Sequence, residues 1–198
     1  MSNFAMVTQQ GVRGACSFVG RAAILACLML PVLGIGEARA QSLPVNISFQ
    51  PPIFPLQSGY IGDFGQNFGA RGNGYSYGWN VSHTSRTFAY SPLPGYESIW
   101  GAQWSLIRML PGNSTKWEIA LANGTYDVFI VVAGYQCQGS LQQIAVEGTL
   151  VVDDVTGWDY DTYAGGAATV AVSDGRLTVT NGPSAPLNCI DYIQISAH

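Results

Sequence analysis

The chain has 198 residues, a formal net charge of −4 and two histidines, with 10% of its residues charged and 47% hydrophobic. That length suits one domain of ordinary size, and so little Glu, Lys and Arg excludes a coiled-coil or long-helix protein. Eight Lys plus Arg with no basic run exclude electrostatic capture of nucleic acid.

Residues 1–40 carry Arg13 and Arg21, then an apolar run at 22–35 interrupted by Pro31 and Gly34, and close on Ala38-Arg39-Ala40. This is the layout of a secretory signal peptide cleaved before Gln41, and the apolar run is too short and broken to span a membrane. Without Arg13, Arg21, Arg39 and Glu37, the expected mature chain, residues 41–198, keeps five basic and eleven acidic residues, a net charge of −6. It also keeps Cys137 and Cys189, and an even pair in an exported chain reads as a disulfide. The expected localisation is therefore secreted, extracellular or periplasmic.

Beyond residue 41 the pattern is β. Val45, Ile47 and Phe49 alternate in a first strand. Trp117, Ile119 and Leu121 alternate in another, and Asn123-Gly124 separates them from Tyr126, Val128, Ile130 and Val132. An Asn-Gly pair between two alternating runs predicts a hairpin with a type I′ turn. The same logic predicts a second hairpin across Asp174-Gly175, between residues 169–173 and 176–180, and a weaker third around Gly148. Residues 190–195 form a closing strand, so the chain is expected to begin and end in the sheet. Short strands with glycine turns and no helices between them indicate an all-β fold, an antiparallel β-sandwich or barrel. Residues 50–111 show little alternation and are rich in Gly, Pro, Tyr and Trp, which reads as a long functional loop region.

Several blocks then carry a family resemblance. Asn46-Ile-Ser-Phe-Gln-Pro51, Gly59-Tyr60-Ile-Gly-Asp63-Phe-Gly65, Gly69-Ala-Arg71-Gly-Asn-Gly74 and Tyr77-Gly78-Trp79-Asn80 resemble the opening of malectin-like carbohydrate-binding domains, which belong to the galactose-binding-like jelly-roll group. The strand beginning at Trp117, Val146-Glu-Gly148, the run from Val172 to Val179 and the terminal Ile190-Asp-Tyr-Ile-Gln-Ile195 continue it in the family's order. The segment from Pro94 to Trp104 and Tyr135-Gln136-Cys137 depart from the family's pattern. The resemblance implies a jelly-roll sandwich that recognises sugars, without catalysis, through loops at one end.

Sugar recognition needs a flat apolar face against the ring and planar polar groups for its hydroxyls. Asp63, Arg71, Tyr75, Tyr77 and Trp79 supply both within one segment, and Tyr135 with Gln136 and Trp158 with Asp159 repeat the combination elsewhere. Each has a structural alternative: Trp79 as core, Asp63 and Arg71 as a mutual pair, and residues 158–163 as an edge strand. Asp153-Asp154 and Asp159-x-Asp161 raise calcium, but this spacing is common and no EF-hand loop is present, so no cofactor is expected. No Gly-x-Ser-x-Gly elbow or phosphate loop occurs, and a triad would have to use His83. The sequence thus reads as a secreted, non-enzymatic module whose partner is carbohydrate. The alternative is an extracellular structural or adhesive module that binds a protein.

Overall fold

The computed structural model describes residues 42–90, 101–112, 114–133, 135–137, 139–155, 163–185 and 187–198, with the backbone alone at 133, 135, 154 and 155. The segment read as a signal peptide lies outside the described residues. Thirteen strands follow in order: β1 (Val45–Phe49), β2 (Ile61–Asp63), β3 (Gly69–Ala70), β4 (Ser76–Trp79), β5 (Thr87–Ala89), β6 (Ser105–Arg108), β7 (Lys116–Ala120), β8 (Gly124–Ala133), β9 (Leu141–Val146), β10 (Thr149–Val155), β11 (Tyr163–Val172), β12 (Arg176–Asn181) and β13 (Cys189–Ala197). They form a seven-stranded sheet, ordered β11-β8-β13-β1-β2 with β6 also on β13 and β5 on β6, and a six-stranded sheet, ordered β10-β9-β12-β7-β4-β3. The fold is an all-β sandwich of jelly-roll type. Its pairings are antiparallel except that β1 runs parallel to β2.

The alternating runs behave as predicted strands because each presents one apolar stripe to a shared interior. Val45, Ile47, Phe49, Val128, Ile130, Ile193 and Ile195 of the larger sheet face Tyr77, Trp79, Trp117, Ile119, Leu177 and Val179 of the smaller. Each such side chain removed from water stabilises the fold by roughly 1.5–3 kcal/mol before chain entropy is counted. The first and last of the described strands pair in the larger sheet, as expected, with Val45 opposite Ile195.

Two predicted hairpins are not hairpins. β7 lies in the smaller sheet and β8 in the larger, so Asn123-Gly124 carries the chain across the sandwich; Gly124 is already a strand residue opposite Val172. β11 and β12 are likewise split between sheets across Asp174-Gly175. The two crossings lie side by side and are tied together by Asn123, whose Nδ2 donates to Ser173 O (2.9 Å) and whose Oδ1 accepts from Gly175 N (2.8 Å). Tyr126 clamps the first crossing by donating its hydroxyl to Ala122 O at 2.7 Å, in the manner of a tyrosine corner. The third and weaker candidate is the true hairpin: β9 and β10 pair through Glu147 (φ 49°) and Gly148 (φ 76°), the positive pair that a type I′ turn requires.

The described part of residues 50–111, read as loop, contains β2 to β6 and the 3₁₀ turns Thr84–Arg86 and Ala102–Trp104. Strands of two to four residues are too short to display a period. At the other edge the sheets close on one another where β10 meets β11. A Cβ on Gly166 would lie 1.7 Å from Val151 O, so only glycine permits this approach.

Candidate ligand-binding face

The residues singled out at Asp63, Tyr77 and Trp79 are brought together, but inside the protein. Asp63 and Trp79 expose none of their surface and Tyr77 only 2%. Asp63 Oδ1 accepts from Trp79 Nε1 (3.0 Å) and Gly65 N (2.7 Å), while Oδ2 accepts from Trp117 Nε1 (2.9 Å). The Tyr77 hydroxyl donates to Gly62 O at 2.7 Å. Phe49 packs edge-on against both indoles, with centroids 5.9 and 5.4 Å away. These bonds tie β2, an edge of the larger sheet, to β4 and β7 of the smaller one. The expectation that these three residues face a ligand is therefore corrected: a buried side chain with all its polar atoms engaged has no surface to offer. Burial pushes the Asp63 carboxyl above its ordinary range, opposed by the three N–H donors and by the charge of Arg71.

Arg71 does not form an ion pair with Asp63. Its Nη2 donates to the carbonyls of Gln66 (3.2 Å) and Asn67 (2.8 Å), and its guanidinium lies over the Tyr77 ring at 5.1 Å. Tyr75 is half-buried and donates its hydroxyl to Ser42 O. Arg71 and Tyr75 thus shape the β3–β4 turn. Tyr135 belongs to a 3₁₀ turn, Tyr135–Cys137, at the opposite end of the sandwich. Trp158 and Asp159 lie outside the described residues. Cys137 and Cys189 form the expected disulfide, with Cα atoms 6.0 Å apart. Of the aspartates that raised calcium, Asp153 accepts from Gln143 Nε2 at 2.7 Å. Among the described residues no group of three or more His, Cys, Asp or Glu side chains is placed to hold a metal ion.

His83 is structural. It is buried and stacked on Trp79 at 4.0 Å between centroids; Nδ1 donates to Val81 O (2.6 Å) and Nε2 accepts from Leu110 N (3.1 Å). Burial pushes its pKa down, and the charge of Arg86 adds to this against the pull of Val81 O. Protonation would also place a hydrogen where Leu110 N–H now points. Below the unfolded-state value of about 6.5 the unfolded chain takes up a proton that the folded chain refuses, so stability falls as the pH drops. The urea midpoint of the wild type is expected to fall between pH 7.5 and 5.5, the unfolding free energy dropping by at most about 1.4 kcal/mol per pH unit. A His83→Gln variant should lack that part of the slope. Equal slopes for the two proteins would show that His83 is not the titrating group.

A groove of about 620 Å³ lies elsewhere, on the outer face of the larger sheet. Register builds it: Ala167 of β11 stands opposite Phe129 of β8, which stands opposite Gln194 of β13, which stands opposite Asn46 of β1. The adjacent row runs from Thr169 through Asp127 to Ser196. These residues are the outward half of the alternation whose inward half is core. Phe129, 36% exposed, leads into an aromatic wall: Tyr192 lies 6.2 Å from it and Tyr60 lies 5.7 Å from Tyr192. On the other side Thr169 Oγ1 donates to Asp127 Oδ1 at 2.6 Å and His198 Nδ1 lies 2.9 Å from the same oxygen. The Thr169 bond first, and His198 second, hold the Asp127 carboxyl below its usual range, so it is ionised at neutral pH.

No protein-family model matches the chain, and no curated protein matches it in sequence. Solved structures do share its architecture. The Bacillus subtilis protein YXIM matches at 17% identity and a TM-score of 0.55, over 79% of this chain and 40% of that one. A calcium binding mutant of Bacteroides uniformis beta-glucuronidase 2 matches at 9% identity and a TM-score of 0.57, over 82% of this chain and 19% of that one. The plant receptor-like kinase FER matches at 12% identity and a TM-score of 0.50, over 79% of this chain and 42% of that one. The likeness is one of fold alone. In each case this chain spans less than half of the structure it matches.

The groove is not legible in the sequence because its lining comes from residues 44, 46, 127–129, 167–169 and 194–196, which no local motif joins. One signal was present. Gly165 and Ala167 alternate with the inward side of β11, and small outward residues on one strand leave the neighbouring strand's aromatic uncovered.

Proposed function

We propose that this domain binds carbohydrate without turning it over, and that the groove on the outer face of the larger sheet is where it does so. The observation that carries this reading is the exposed ring of Phe129 in the groove beside the polar groups of Asp127, Gln194 and Asn46, with the rings of Tyr192 and Tyr60 continuing from it. Rings of this kind cover the C–H face of a sugar at little entropic cost, and planar carboxylate and amide groups take its hydroxyls in pairs. The sandwich fold and the resemblance of the opening segment to malectin-like domains support the same class, and the disulfide is compatible with export. Tyr135, Trp158 and Asp159 are proposed as further contacts.

The test is a glycan array probed with folded, oxidised protein, with calcium and with chelator. Any hit is followed by titration of Phe129→Ala, a partly exposed position whose loss leaves the core intact. At least a tenfold weakening is expected, with no dependence on calcium. A folded sample that binds no glycan would sink the reading. It would favour instead a module that docks on a protein, for which the exposed Ile53, Leu56 and Val81 provide apolar contacts.

A further inference from the structure

Taking the proposed carbohydrate binding as its basis, we infer that the groove accepts an internal stretch of a polysaccharide free of acidic groups, laid across the strands, and turns acidic chains away. Three features of the groove carry this.

The first is its direction. The row Ala167, Phe129, Gln194, Asn46 crosses four neighbouring strands. At ~4.8 Å per strand it is about 14 Å long, more than one sugar ring can touch at once. The floor is kept low by small side chains. Gly165 lies under the edge of Phe129, where a Cβ would meet the ring at 3.1 Å, and Ala167 adds only a methyl group next to it. A chain of sugars can therefore lie along this row of described residues.

The second feature is hydrogen-bond polarity. Each amide on the row has one N–H of its NH₂ group engaged: Gln194 Nε2 donates to the Tyr60 hydroxyl at 2.8 Å, and Asn46 Nδ2 donates to Gly59 O at 3.2 Å. What each leaves for a ligand is its second N–H and its carbonyl oxygen, a donor beside an acceptor. Asp127 takes both of its bonds on Oδ1, so neither falls on Oδ2. The groove thus sets donors and acceptors side by side around a carboxylate, the pairing that sugar hydroxyls, donors and acceptors at once, can match.

The third feature is charge. Among the described residues no arginine or lysine is in the lining, and the cationisable neighbour of Asp127 is His198, already in contact with it. A uronate or sulfate ester placed here would meet a carboxylate with no cation to match it. Like-charge juxtaposition of this kind discriminates between otherwise similar partners.

The experiment is affinity electrophoresis of the full folded chain against neutral polysaccharides (glucans, xylan, mannan, galactan) and acidic ones (alginate, polygalacturonate, heparin). Calorimetry with oligosaccharides of increasing length from the best neutral polymer follows, for wild type and Ala167→Trp. Ala167 is exposed, so tryptophan fills the floor without entering the core. Expected are retardation by a neutral polymer and not by the acidic ones, and a rise of at least tenfold in affinity from monosaccharide to tri- or tetrasaccharide. A loss of at least tenfold in Ala167→Trp, with unchanged melting, is expected alongside. Equal retardation by acidic polymers, or a monosaccharide binding as tightly as the longer chain, would overturn this inference and leave carbohydrate binding standing. Undiminished binding by Ala167→Trp would move the site to the loop end. No retardation by any polymer would overturn the inference and the proposed function together.

Discussion

Replacing Asp63 by alanine is expected to destabilise the protein by about 3–5 kcal/mol, a large share of the 5–15 kcal/mol that holds an ordinary domain together. The reason is its position between the sheets. Its two oxygens are the acceptors for the buried indole N–H groups of Trp79 and Trp117 and for Gly65 N. Truncation strands both indole donors in a fully buried site and removes one of the links between β2 and the smaller sheet, leaving that from Tyr77 to Gly62 O. An unsatisfied buried donor costs about 1–3 kcal/mol, and the small cavity adds to it. Asp63→Asn separates the contributions. It keeps the volume but turns an NH₂ group toward an indole N–H, so a loss of about 2 kcal/mol or more is expected even though the shape is preserved. The measurement is urea unfolding followed by the fluorescence of the tryptophans themselves. A variant Asp63→Asn as stable as wild type would show that shape, not acceptor chemistry, is what this site needs.

The same residue shows what was legible beforehand. Asp63, Tyr77 and Trp79 were read as belonging together, and they do, but the composition of a sugar site and that of a polar clamp in an aromatic core are the same. Burial alone separates them, and burial depends on which strands stack, which one segment does not reveal. The turns teach a related lesson. Alternation in residues 117–121 and 126–132 correctly marked two strands, and Asn123-Gly124 correctly marked a change of direction. Whether the second strand returns beside the first or crosses to the facing sheet depends on where each apolar stripe finds its partner. Here Trp117 and Ile119 pack against stripes of the opposite sheet, and the crossing is held by Asn123 and Tyr126. The groove was the least legible part, because register between β1, β8, β11 and β13 assembles it from positions more than a hundred residues apart.

The second large effect concerns the loop end. The Cys137–Cys189 bridge joins the 3₁₀ turn after β8 to the start of β13, across a sequence separation of 52. Leu106 and the two half-cystines form a small core of their own, covered by Phe88, Tyr90 and Leu187 and separate from the main interior. A cluster of that size does not hold long loops in place by hydrophobic burial alone. Loop-closure entropy for this separation assigns the bridge about 4 kcal/mol. At roughly 2–4 °C per kcal/mol for a domain of this length, the double variant Cys137→Ala/Cys189→Ala is expected to melt about 8–16 °C lower. The wild type with its bridge reduced should melt at the same temperature as the double variant, since both lack the same constraint. Hydrogen exchange adds a spatial test. In the double variant the amides around Phe88, Tyr90 and Leu106 should lose protection well before those of β8 and β12, because their small cluster opens locally while the main core stays closed. A melting shift below about 2 °C would mean that the loop end is held by its packing, and the bridge would then be a minor contributor to the fold.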